Sequence, residues 1–580
     1  MKTASKLIII ALLALLGIAM NSLTLESVTF RDADSGGAMA TLDPPYVQAG
    51  NTPDEIAIAF YYRGYGNTTL RLTPRYCFSK GYSVNGHTHP FPDKKEHWCQ
   101  ELIVDLLPDL HDGLNTLNII ATANPVNPQT YSPNVGLTIG QPLFDENPAM
   151  TAFAAILVAS LLALVWLLLS AQGFDRLTCL IFLSACACFL ECLYAFPQFA
   201  YTLDLEKHIL YIQHMSEHFF RPQDYTGPES WHPPVYYMLC ALVAKAFDAA
   251  GFIDVWTAIR LISLSCYATF LFFGLKTIAR VLHGLPFYLA LSLLVFWPSG
   301  MFNAAWVFND VLIYPLYAAA FYHTLVWYEE KNSRALGSAI MLCGIAFAVK
   351  TTALVPAAIL AACIAFQLLT KRCAIRDIIR RDLLTAYLIL AIGLVCNFGG
   401  PLFDLLAHRP TPPHLGGDGN YVPTFENFFL LDIRDLLAHP FFIKWDDPSP
   451  WAISLKTTLF TNTVWRFPVI AGSLMLLYLL MLSTIAVFAL TLTREKIVTL
   501  FPLLAGFAIP FAASVTFMLL CRMGACMDLR YIQPALICIV ILSLLAVQEM
   551  KKWPIAYCIG NAVAATFPAL SILFFYLQVH

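Results

Sequence analysis

Residues 199–237 read FAYTLDLEKHILYIQHMSEHFFRPQDYTGPESWHPPVYY. The stretch is polar and aromatic, yet hydrophobic runs long enough to span a membrane lie on both sides of it. An island of ionisable groups in an apolar chain predicts a functional site, and the alternative is an ordinary solvated loop. Its ionisable residues include Asp204, Glu206, Lys207, His208, His214, His218, Asp224 and His232.

The composition of the whole chain is that of a membrane protein. The 580 residues are 58% hydrophobic and only 13% charged, and the mean hydropathy is +0.64. Soluble domains carry roughly 25% charged residues, so most of this chain must face lipid or other buried helices. We therefore predict a polytopic protein of the lipid bilayer. Nucleic acid is not expected as a partner, because no basic patch exists outside the short loops between hydrophobic runs.

The N-terminal region combines a membrane signal with a polar domain. Lys2 and Lys6 precede the apolar run LIIIALLALLGIAM, which predicts a signal anchor and first transmembrane helix over 1–20; a cleaved signal peptide is the alternative. Residues 21–147 carry alternating runs such as EIAIAFYY, separated by Gly, Asn and Pro. This pattern predicts an exported β-sandwich, jelly-roll-like domain, either a carbohydrate-binding module or a structural cap.

Two pairs of cysteines are candidates for disulfides. Cys77 and Cys99 lie in the polar region, where export would permit a bridge between them. Cys521 and Cys526 are a second candidate pair. The chain contains no C-x-x-C pair, no H-E-x-x-H sequence and no Walker loop, so the sequence predicts no metal ligands.

Residues 148–580 form the predicted membrane domain. A helix needs about 20 apolar residues to cross the bilayer, with a lower limit near 17. Counted in this way, and with the N-terminal segment, the apolar runs predict a mainly α fold with about thirteen transmembrane helices. The predicted spans are 149–171, 177–198, 256–275, 281–299, 311–328, 335–349, 353–370, 383–400, 467–491, 498–520, 531–548 and 554–577.

Clusters of Lys and Arg predict the orientation. Basic residues concentrate in cytoplasmic loops of membrane proteins. All the basic clusters of this chain fall on one side of the membrane if the short segment 235–250 does not cross the bilayer. We therefore predict that 235–250 is a surface or shallow re-entrant helix and that 199–255 and 401–466 are external loops. The polar groups that this orientation brings to the outer face are Asp204, His232, Asn309, Asp310, Lys350, the segment 404–465, Asp528 and Arg530.

Asp204 is the candidate general base. It follows a hydrophobic run directly, and in a helix Asp204 and His208 would share a face, four residues apart. A carboxylate at the membrane rim suits proton abstraction, with His208 orienting it or contacting substrate. The alternative is a helix N-cap. His232 precedes two prolines and an aromatic helix, and it would either face the site or belong to a rigid turn.

Three later residues are candidates for substrate binding. Asp310 opens an apolar span, where a carboxylate is costly unless it is paired or near water; it would serve as a second acid, a ligand of a divalent cation, a partner of Lys350 or a cap. Lys350 lies between two apolar runs and would suit a phosphate group at the bilayer rim. Arg530 opens another span and is the better bidentate phosphate ligand.

These residues stand in a recognisable order of motifs. An acidic residue after a span is followed by WHPPVYY (231–237), AIRLIS (258–263), FNDV (308–311), AVKTTAL (348–354) and LRYIQP (529–534). Together they resemble the GT-C superfamily of membrane glycosyltransferases, in particular the branch of protein O-mannosyltransferases and lipid A aminoarabinose transferases. The resemblance covers roughly 177–550.

The resemblance implies an activity and assigns roles. Such enzymes pass a sugar from a polyprenyl-phosphate donor to a glycan, lipid or protein acceptor on the outer or lumenal face. By position, the family's base falls on Asp204, its His/Lys-Pro-Pro position on His232, its second acid on Asp310 and its hairpin lysine on Lys350. Lys350 and Arg530 would hold the leaving phosphate. Attack opposite the phosphate would invert the anomeric centre.

One departure from the family pattern concerns the first loop. The family often has adjacent Asp-Glu there, whereas this chain has Asp204-Leu205-Glu206, which leaves open which acid is the base. The sequence assigns no cofactor, and a divalent cation is the open alternative. The expected location is a bacterial inner membrane, with the active site facing the periplasm.

Two other classes compete with this interpretation. A transporter or flippase of lipid-linked sugars would use the same cations to bind phosphate but would need no base. Such transporters tend to have internal repeats, and none is visible in the sequence. A non-enzymatic glycan-assembly protein would bind through its exported domain and would tolerate loss of the Asp204 carboxylate.

Overall fold

The structure is a computed structural model. It describes residues 23–32, 39–42, 47–49, 53–62, 69–75, 77–90, 102–106, 109–123, 134–140, 148–195, 205–218, 232–250, 255–406, 431–441, 449–461, 467–520 and 529–579. The predicted signal anchor at 1–20, Asp204 and both candidate cysteines of the second disulfide lie outside these residues. So does Cys99, and of Cys77 only the backbone is described.

The described part of 21–147 consists of β-strands in two antiparallel sheets. One sheet has the order β2-β1-β4-β9-β6-β7 and the other has the order β3-β10-β5-β8. The strands are β1 (Leu23–Asp32), β2 (Met39–Leu42), β3 (Val47–Ala49), β4 (Pro53–Tyr62), β5 (Thr69–Arg75), β6 (Cys77–Val84), β7 (His87–Pro90), β8 (Leu102–Asp105), β9 (Gly113–Ala123) and β10 (Asn134–Gly140).

In the larger sheet, buried and exposed side chains alternate along the strand β4. In β4, Ile58 and Phe60 are fully buried, whereas Ala59 between them is partly exposed and Tyr61 after them is exposed, because successive strand residues face opposite sides. Ile58 lies opposite the buried Leu117 of β9. The exposed and buried faces agree with the predicted strand pattern, and the packing of the two sheets as a sandwich stays a prediction.

The rest of the described chain is helical. Short 3-10 helices cover Thr351–Ala353, Arg381–Leu383, Leu529–Ala535 and Met550–Lys552. The α-helices are α1 (Pro148–Ala171), α2 (Arg176–Ala195), α3 (Leu205–His218), α4 (Val235–Ala250), α5 (Val255–Val281), α6 (Leu285–Val295), α7 (Pro298–Asn303), α8 (Asp310–Glu330), α9 (Ser333–Phe347), α10 (Leu354–Leu369), α11 (Ile375–Ile378), α12 (Leu384–Leu406), α13 (Ile433–Ala438), α14 (Pro450–Phe460), α15 (Pro468–Ala489), α16 (Arg494–Leu520), α17 (Leu536–Glu549) and α18 (Pro554–Val579).

The chain divides into two compact units. The first comprises Met1–Cys179, Cys186–Leu205 and Ala241–Leu261, and it contains the strands. The second comprises Leu180–Ala185, Glu206–Cys240 and Ile262–His580. All the candidate site residues that the structure describes with their side chains belong to the second unit.

The protein is an integral membrane protein with a mainly helical fold. Within the described residues, seven helical segments are long and apolar enough to cross a membrane. They are Ala258–Val281, Thr351–Leu369, Arg381–Gly399, Pro468–Ala489, Arg494–Leu519, Arg530–Lys552 and Pro554–Gln578. The predicted total of about thirteen crossings stays a prediction.

The structure corrects the predicted span at 281–299. The helix α6 there has 11 residues, which is a length of about 17 Å against the roughly 30 Å of the hydrocarbon layer. It ends before Trp297, which is extended, and Pro298 then starts α7. Proline lacks the N–H that would continue a helix and restricts the residue before it. The apolar run is therefore two short helices and not one long helix.

The basic ends of several helices lie together in the second unit. Arg280 of α5 pairs with two glutamates at the end of α8. The hydroxyl of Tyr328, also near that end, donates to the carbonyl of Val498 in α16 at 2.6 Å. Lys496 of α16 pairs with Glu549 of α17 at 2.8 Å. The clusters that the charge pattern assigns to one side of the membrane thus meet in space; which side is cytoplasmic stays a prediction.

Two glycines bring α9 and α12 into backbone contact. A Cβ on Gly393 would lie 1.9 Å from the carbonyl oxygen of Gly344, and a Cβ on Gly344 would lie 2.7 Å from the backbone of Ile389. Backbone atoms cannot move aside as a flexible side chain can. Small residues of this kind allow close helix packing in membranes, and α9 leads directly into Lys350.

Replacing Gly393 with alanine is expected to push α9 and α12 apart and to lower the free energy of unfolding by about 1–3 kcal/mol. The control is Gly399→Ala on α12, whose Cβ would lie 3.4 Å from a Val395 side-chain atom, an ordinary contact. Thermal unfolding of the two purified variants in detergent measures the difference. Equal melting temperatures would contradict the close helix contact.

Candidate active site

Lys350 forms a buried ion pair with Asp310. Its ammonium donates to the two carboxylate oxygens of Asp310 at 2.8 and 2.7 Å and to Oδ1 of Asn309 at 3.0 Å. Lys350 is 7% exposed, Asp310 2% and Asn309 0%. Asp310 lies in the first turn of α8, where the helix dipole favours a negative charge. Of the roles that the sequence suggests for Asp310, the structure shows the one in which it pairs with Lys350.

This pairing decides what Lys350 can offer to a ligand. An ammonium has three protons to donate, and here it has three acceptor atoms within 3.0 Å. In an intact buried pair, the attraction between the two charges offsets the cost of removing both from water. Removing one member leaves a buried charge without compensation. Lys350 is therefore anchored and largely neutralised by its neighbours in the protein.

Tyr531 lies between the ion pair and Arg530. The ammonium of Lys350 lies 4.9 Å from the centre of the Tyr531 ring, and the Arg530 guanidinium carbon lies 5.1 Å from the same centre. Arg530 also donates to the Tyr531 hydroxyl at 3.3 Å, and Tyr314 donates to the carbonyl of Arg530 at 2.9 Å. Cations are attracted to aromatic rings at such distances. Sequence reasoning did not assign Tyr531 a role, although the LRYIQP motif contains it.

The 3-10 helix Leu529–Ala535 positions these groups. Pro534 cannot donate a backbone hydrogen bond, and Ile532 departs from helical geometry with a φ of −123°. The segment then continues into α17, which packs against α6, α15, α16 and α18. Arg530 and Tyr531 are thereby held at the start of the largely buried membrane segment Arg530–Lys552.

A second group contains the two predicted histidines. His208 of α3 shares a 2.8 Å hydrogen bond with the Tyr237 hydroxyl of α4, and the hydroxyl of Tyr211 donates to the carbonyl of His232 at 3.1 Å. Tyr211 and Tyr237 stack with ring centres 3.8 Å apart. His208 and His232 are both buried. The described part of 199–255 thus consists of two helices in contact with each other, and this differs from the ordinary solvated loop that was the alternative prediction.

A small cavity adjoins Arg530. Its volume is about 20 Å³, which is room for about one water molecule. Its lining comes from α7, α14, α15, α16, α17 and the 3-10 helix before α17. The lining residues are Ser299, Asn303, Thr457, Thr458, Tyr478, Phe511, Arg530, Ile532, Gln533, Ala535, Leu536 and Ile539. Thr457 and Thr458 belong to the predicted external loop 401–466, which here contains the buried helix α14.

The predicted site residues fall into distinct groups. Asp310, Lys350 and Arg530 come together through Tyr531, and His208 lies with His232. Asp204, the predicted base, lies outside the described residues. Within the described parts of the chain, no cluster of three or more His, Cys, Asp or Glu could hold a metal ion.

Comparison with solved structures finds membrane glycosyltransferases. The crystal structure of ArnT from Cupriavidus metallidurans bound to undecaprenyl phosphate is 14% identical with a TM-score of 0.42, over 67% of this chain and 63% of that chain. The cryo-EM structure of the arabinosyltransferase EmbB from Mycobacterium smegmatis is 13% identical with a TM-score of 0.29, over 99% and 64%. This chain spans less than two thirds of each. ArnT and EmbB belong to the GT-C superfamily, which the sequence motifs resemble. No family model and no curated protein sequence matches this chain.

Replacing Lys350 with methionine is expected to lower the free energy of unfolding by about 3–5 kcal/mol, because Asp310 becomes an unpaired buried charge. The double variant Lys350→Met with Asp310→Leu should regain most of that loss, since an apolar pair can replace a buried ion pair. Denaturant unfolding in detergent measures both.

The matched control for this cycle is Lys496→Met. Its ion pair with Glu549 is more than a third exposed, and exposed pairs contribute little to stability, so near wild-type stability is expected. A double variant at Lys350 and Asp310 no more stable than the single variant would refute the proposed coupling.

Proposed function

We propose that the protein is a glycosyltransferase that moves a sugar from a polyprenyl-phosphate donor to an acceptor on the outer face of the membrane, with inversion. The observation that carries the proposal is the convergence of Asp310, Lys350 and Arg530. They come from three distant motifs of the sequence, and Tyr531 contacts both Lys350 and Arg530 within the helical part of a membrane protein. Ionisable groups at such positions favour a functional site.

Arg530 is the proposed ligand of the donor phosphate. Arg530 lines the cavity, and the planar fork of a guanidinium matches a phosphate with two parallel hydrogen bonds. Lys350 supports this role indirectly, because its own hydrogen bonds go to Asp310 and Asn309. It contributes by holding Tyr531, against which Arg530 packs.

The chemical step follows from these roles. The acceptor hydroxyl oxygen forms a bond to the anomeric carbon, and its proton passes to the carboxylate of Asp204. The bond between the anomeric carbon and the phosphate oxygen breaks, and polyprenyl phosphate leaves with the electron pair. The positive charge of Arg530 stabilises that leaving group. Attack from the side opposite the phosphate inverts the anomeric centre.

The length of α8 supports a site on the outer face. Asp310 begins this helix and Glu330 ends it, 21 residues in all, which is about 32 Å at 1.5 Å per residue. That length matches the roughly 30 Å hydrocarbon layer. The Glu330 end lies with the basic residue Arg280, and basic clusters favour the cytoplasm. The opposite end, with Asp310 and Lys350, is then external.

Asp204→Asn is expected to reduce the rate of sugar transfer by about 10²–10⁴-fold, the usual contribution of a general base. The reaction is followed as release of polyprenyl phosphate by the full-length protein in lipid nanodiscs. Glu206→Gln is the matched control, because it removes the neighbouring carboxylate. Full transfer by Asp204→Asn would refute the assigned base, and transport of the donor without any transfer would favour the flippase alternative.

Arg530→Leu is expected to raise KM for the lipid-linked donor by about 10- to 100-fold, the value of a lost charge-assisted hydrogen bond. Arg530→Lys should give a KM between those of the wild type and Arg530→Leu, since lysine keeps the charge but lacks the planar, two-pronged guanidinium. Arg334→Leu, an exposed cation at the start of α9, is the control and should keep the wild-type KM. An unchanged KM in Arg530→Leu would remove Arg530 from the phosphate site.

A further inference from the structure

The amides of Asn303 and Gln533 leave one buried acceptor at the cavity beside Arg530. Nδ2 of Asn303 donates to Oε1 of Gln533 at 2.7 Å, and Nε2 of Gln533 donates to the Tyr267 hydroxyl at 3.2 Å. Both amides are thereby oriented, and Oδ1 of Asn303 has no hydrogen-bond partner among the described residues. Asn303 is 1% exposed and lines the cavity. Because a buried acceptor without a donor is costly, this oxygen indicates a bound group that donates a hydrogen bond to it.

The volume of the cavity limits that group to about one water molecule. The cavity measures about 20 Å³, and a water needs roughly 10–15 Å³ of such space. A sugar or another organic ligand is far too large for it. Buried waters in proteins make about three hydrogen bonds to polar groups that would otherwise be unsatisfied. A water at Asn303 therefore needs further polar partners in the lining.

The lining supplies those partners as hydroxyl groups. The residues that carry them are Ser299, Thr457, Thr458 and Tyr478. The hydroxyl of Ser299 donates to the carbonyl of Thr458 at 2.6 Å, and the hydroxyl of Thr458 donates to the carbonyl of Ser454 at 2.6 Å. Since a hydroxyl has one proton, these two oxygens can only accept a further hydrogen bond. A water has two protons, one for Oδ1 of Asn303 and one for a hydroxyl oxygen of this wall.

A water also fits either orientation of the two amides. If the amides of Asn303 and Gln533 were both rotated, the unpaired atom of Asn303 would be an N–H group in place of an oxygen. A water donates and accepts hydrogen bonds, so it satisfies Asn303 in both cases. An ammonium ion donates only, and it would satisfy one of them.

The walls of the cavity are held by the chain itself. The indole of Trp297 donates to the same carbonyl of Thr458 as Ser299 does, at 2.8 Å. These two bonds hold α7 against the end of α14. They resist a shift of either helix that would close the cavity and bring another donor to Asn303.

We propose that this cavity is the binding site of a single buried water molecule, which donates to Oδ1 of Asn303 and to a hydroxyl oxygen of α7 or α14. The water extends the chain of hydrogen bonds that runs from Tyr267 through Gln533 to Asn303. Gln533 belongs to the 3-10 helix Leu529–Ala535, so the chain anchors the segment that carries Arg530. The proposal concerns the packing around Arg530 and does not depend on the proposed function.

The direct test is a cryo-EM structure of the full-length protein in lipid nanodiscs, at a resolution that shows ordered water. One peak is expected about 3 Å from the side-chain amide of Asn303, with at least one more polar contact at a similar distance. A map that shows other buried waters but no peak here would overturn the proposal. So would a peak with several oxygen ligands at about 2.4 Å, because that spacing is typical of a bound cation such as Ca²⁺.

Two substitutions at Ala535 test whether the cavity favours a polar group. Ala535 is 2% exposed and lines the cavity. Serine and cysteine each add one heavy atom, but a hydroxyl forms stronger hydrogen bonds than a thiol. With a water in the cavity, Ala535→Ser should melt a few degrees higher than Ala535→Cys, because its hydroxyl can bind the water or replace it. In a dry cavity the order reverses, since cysteine behaves as a small hydrophobe, and that order would overturn the proposal.

The matched control is the same pair of substitutions at Ala564 of α18. Ala564 is 3% exposed and is not among the described lining residues of the cavity. Ala564→Cys should be at least as stable as Ala564→Ser, because a buried hydroxyl without a water partner is costly. An equal preference for serine at both positions would show that the water is not its cause and would refute the proposed site.

Discussion

The ion pair of Lys350 and Asp310 is the constraint on which the site depends. A lysine and an aspartate in the interior of a membrane protein are tolerated when each neutralises the other. Their pairing ties the start of α8 to the turn after α9, residues that are 40 positions apart. Through the ring of Tyr531 it extends to the start of α17. Three helices that are distant in the sequence are thus joined at one point, and Arg530 is held at that point.

The sequence predicts the members of this site better than their roles. Asp310, Lys350 and Arg530 each stand out as a polar residue at the edge of an apolar run, and pattern alone selects them. That Lys350 is saturated by Asp310 and Asn309 depends on distances between segments far apart in the chain, which no local pattern contains. Asn303 and Gln533 escape detection for a related reason: each is a neutral amide, and only their mutual hydrogen bond at 2.7 Å and the cavity beside them mark them.

The same contrast holds for the fold. Period-2 alternation predicts strands such as β4, and apolar length predicts helices such as α15, because both signals are local. The prediction of one span at 281–299 is wrong, since hydropathy contains no information on where a helix ends. Here one helix ends before Trp297 and another begins at Pro298. The contacts of Arg280 with α8 and of Lys496 with α17 involve basic residues that the charge rule also uses, and the number and direction of the membrane crossings stay predictions.

The two polar centres of the second unit, at Lys350 and at Asn303, differ in whether their polar atoms have hydrogen-bond partners. This difference indicates that they have different roles. The Lys350 ammonium has its hydrogen bonds satisfied within the chain, so a ligand gains little by approaching it. Oδ1 of Asn303 is buried without a partner in the described residues, and leaving such an acceptor unsatisfied costs about 1–3 kcal/mol. The ion pair therefore holds the start of α8 against the turn after α9, whereas the amide of Asn303 is held through its hydrogen bond to Gln533.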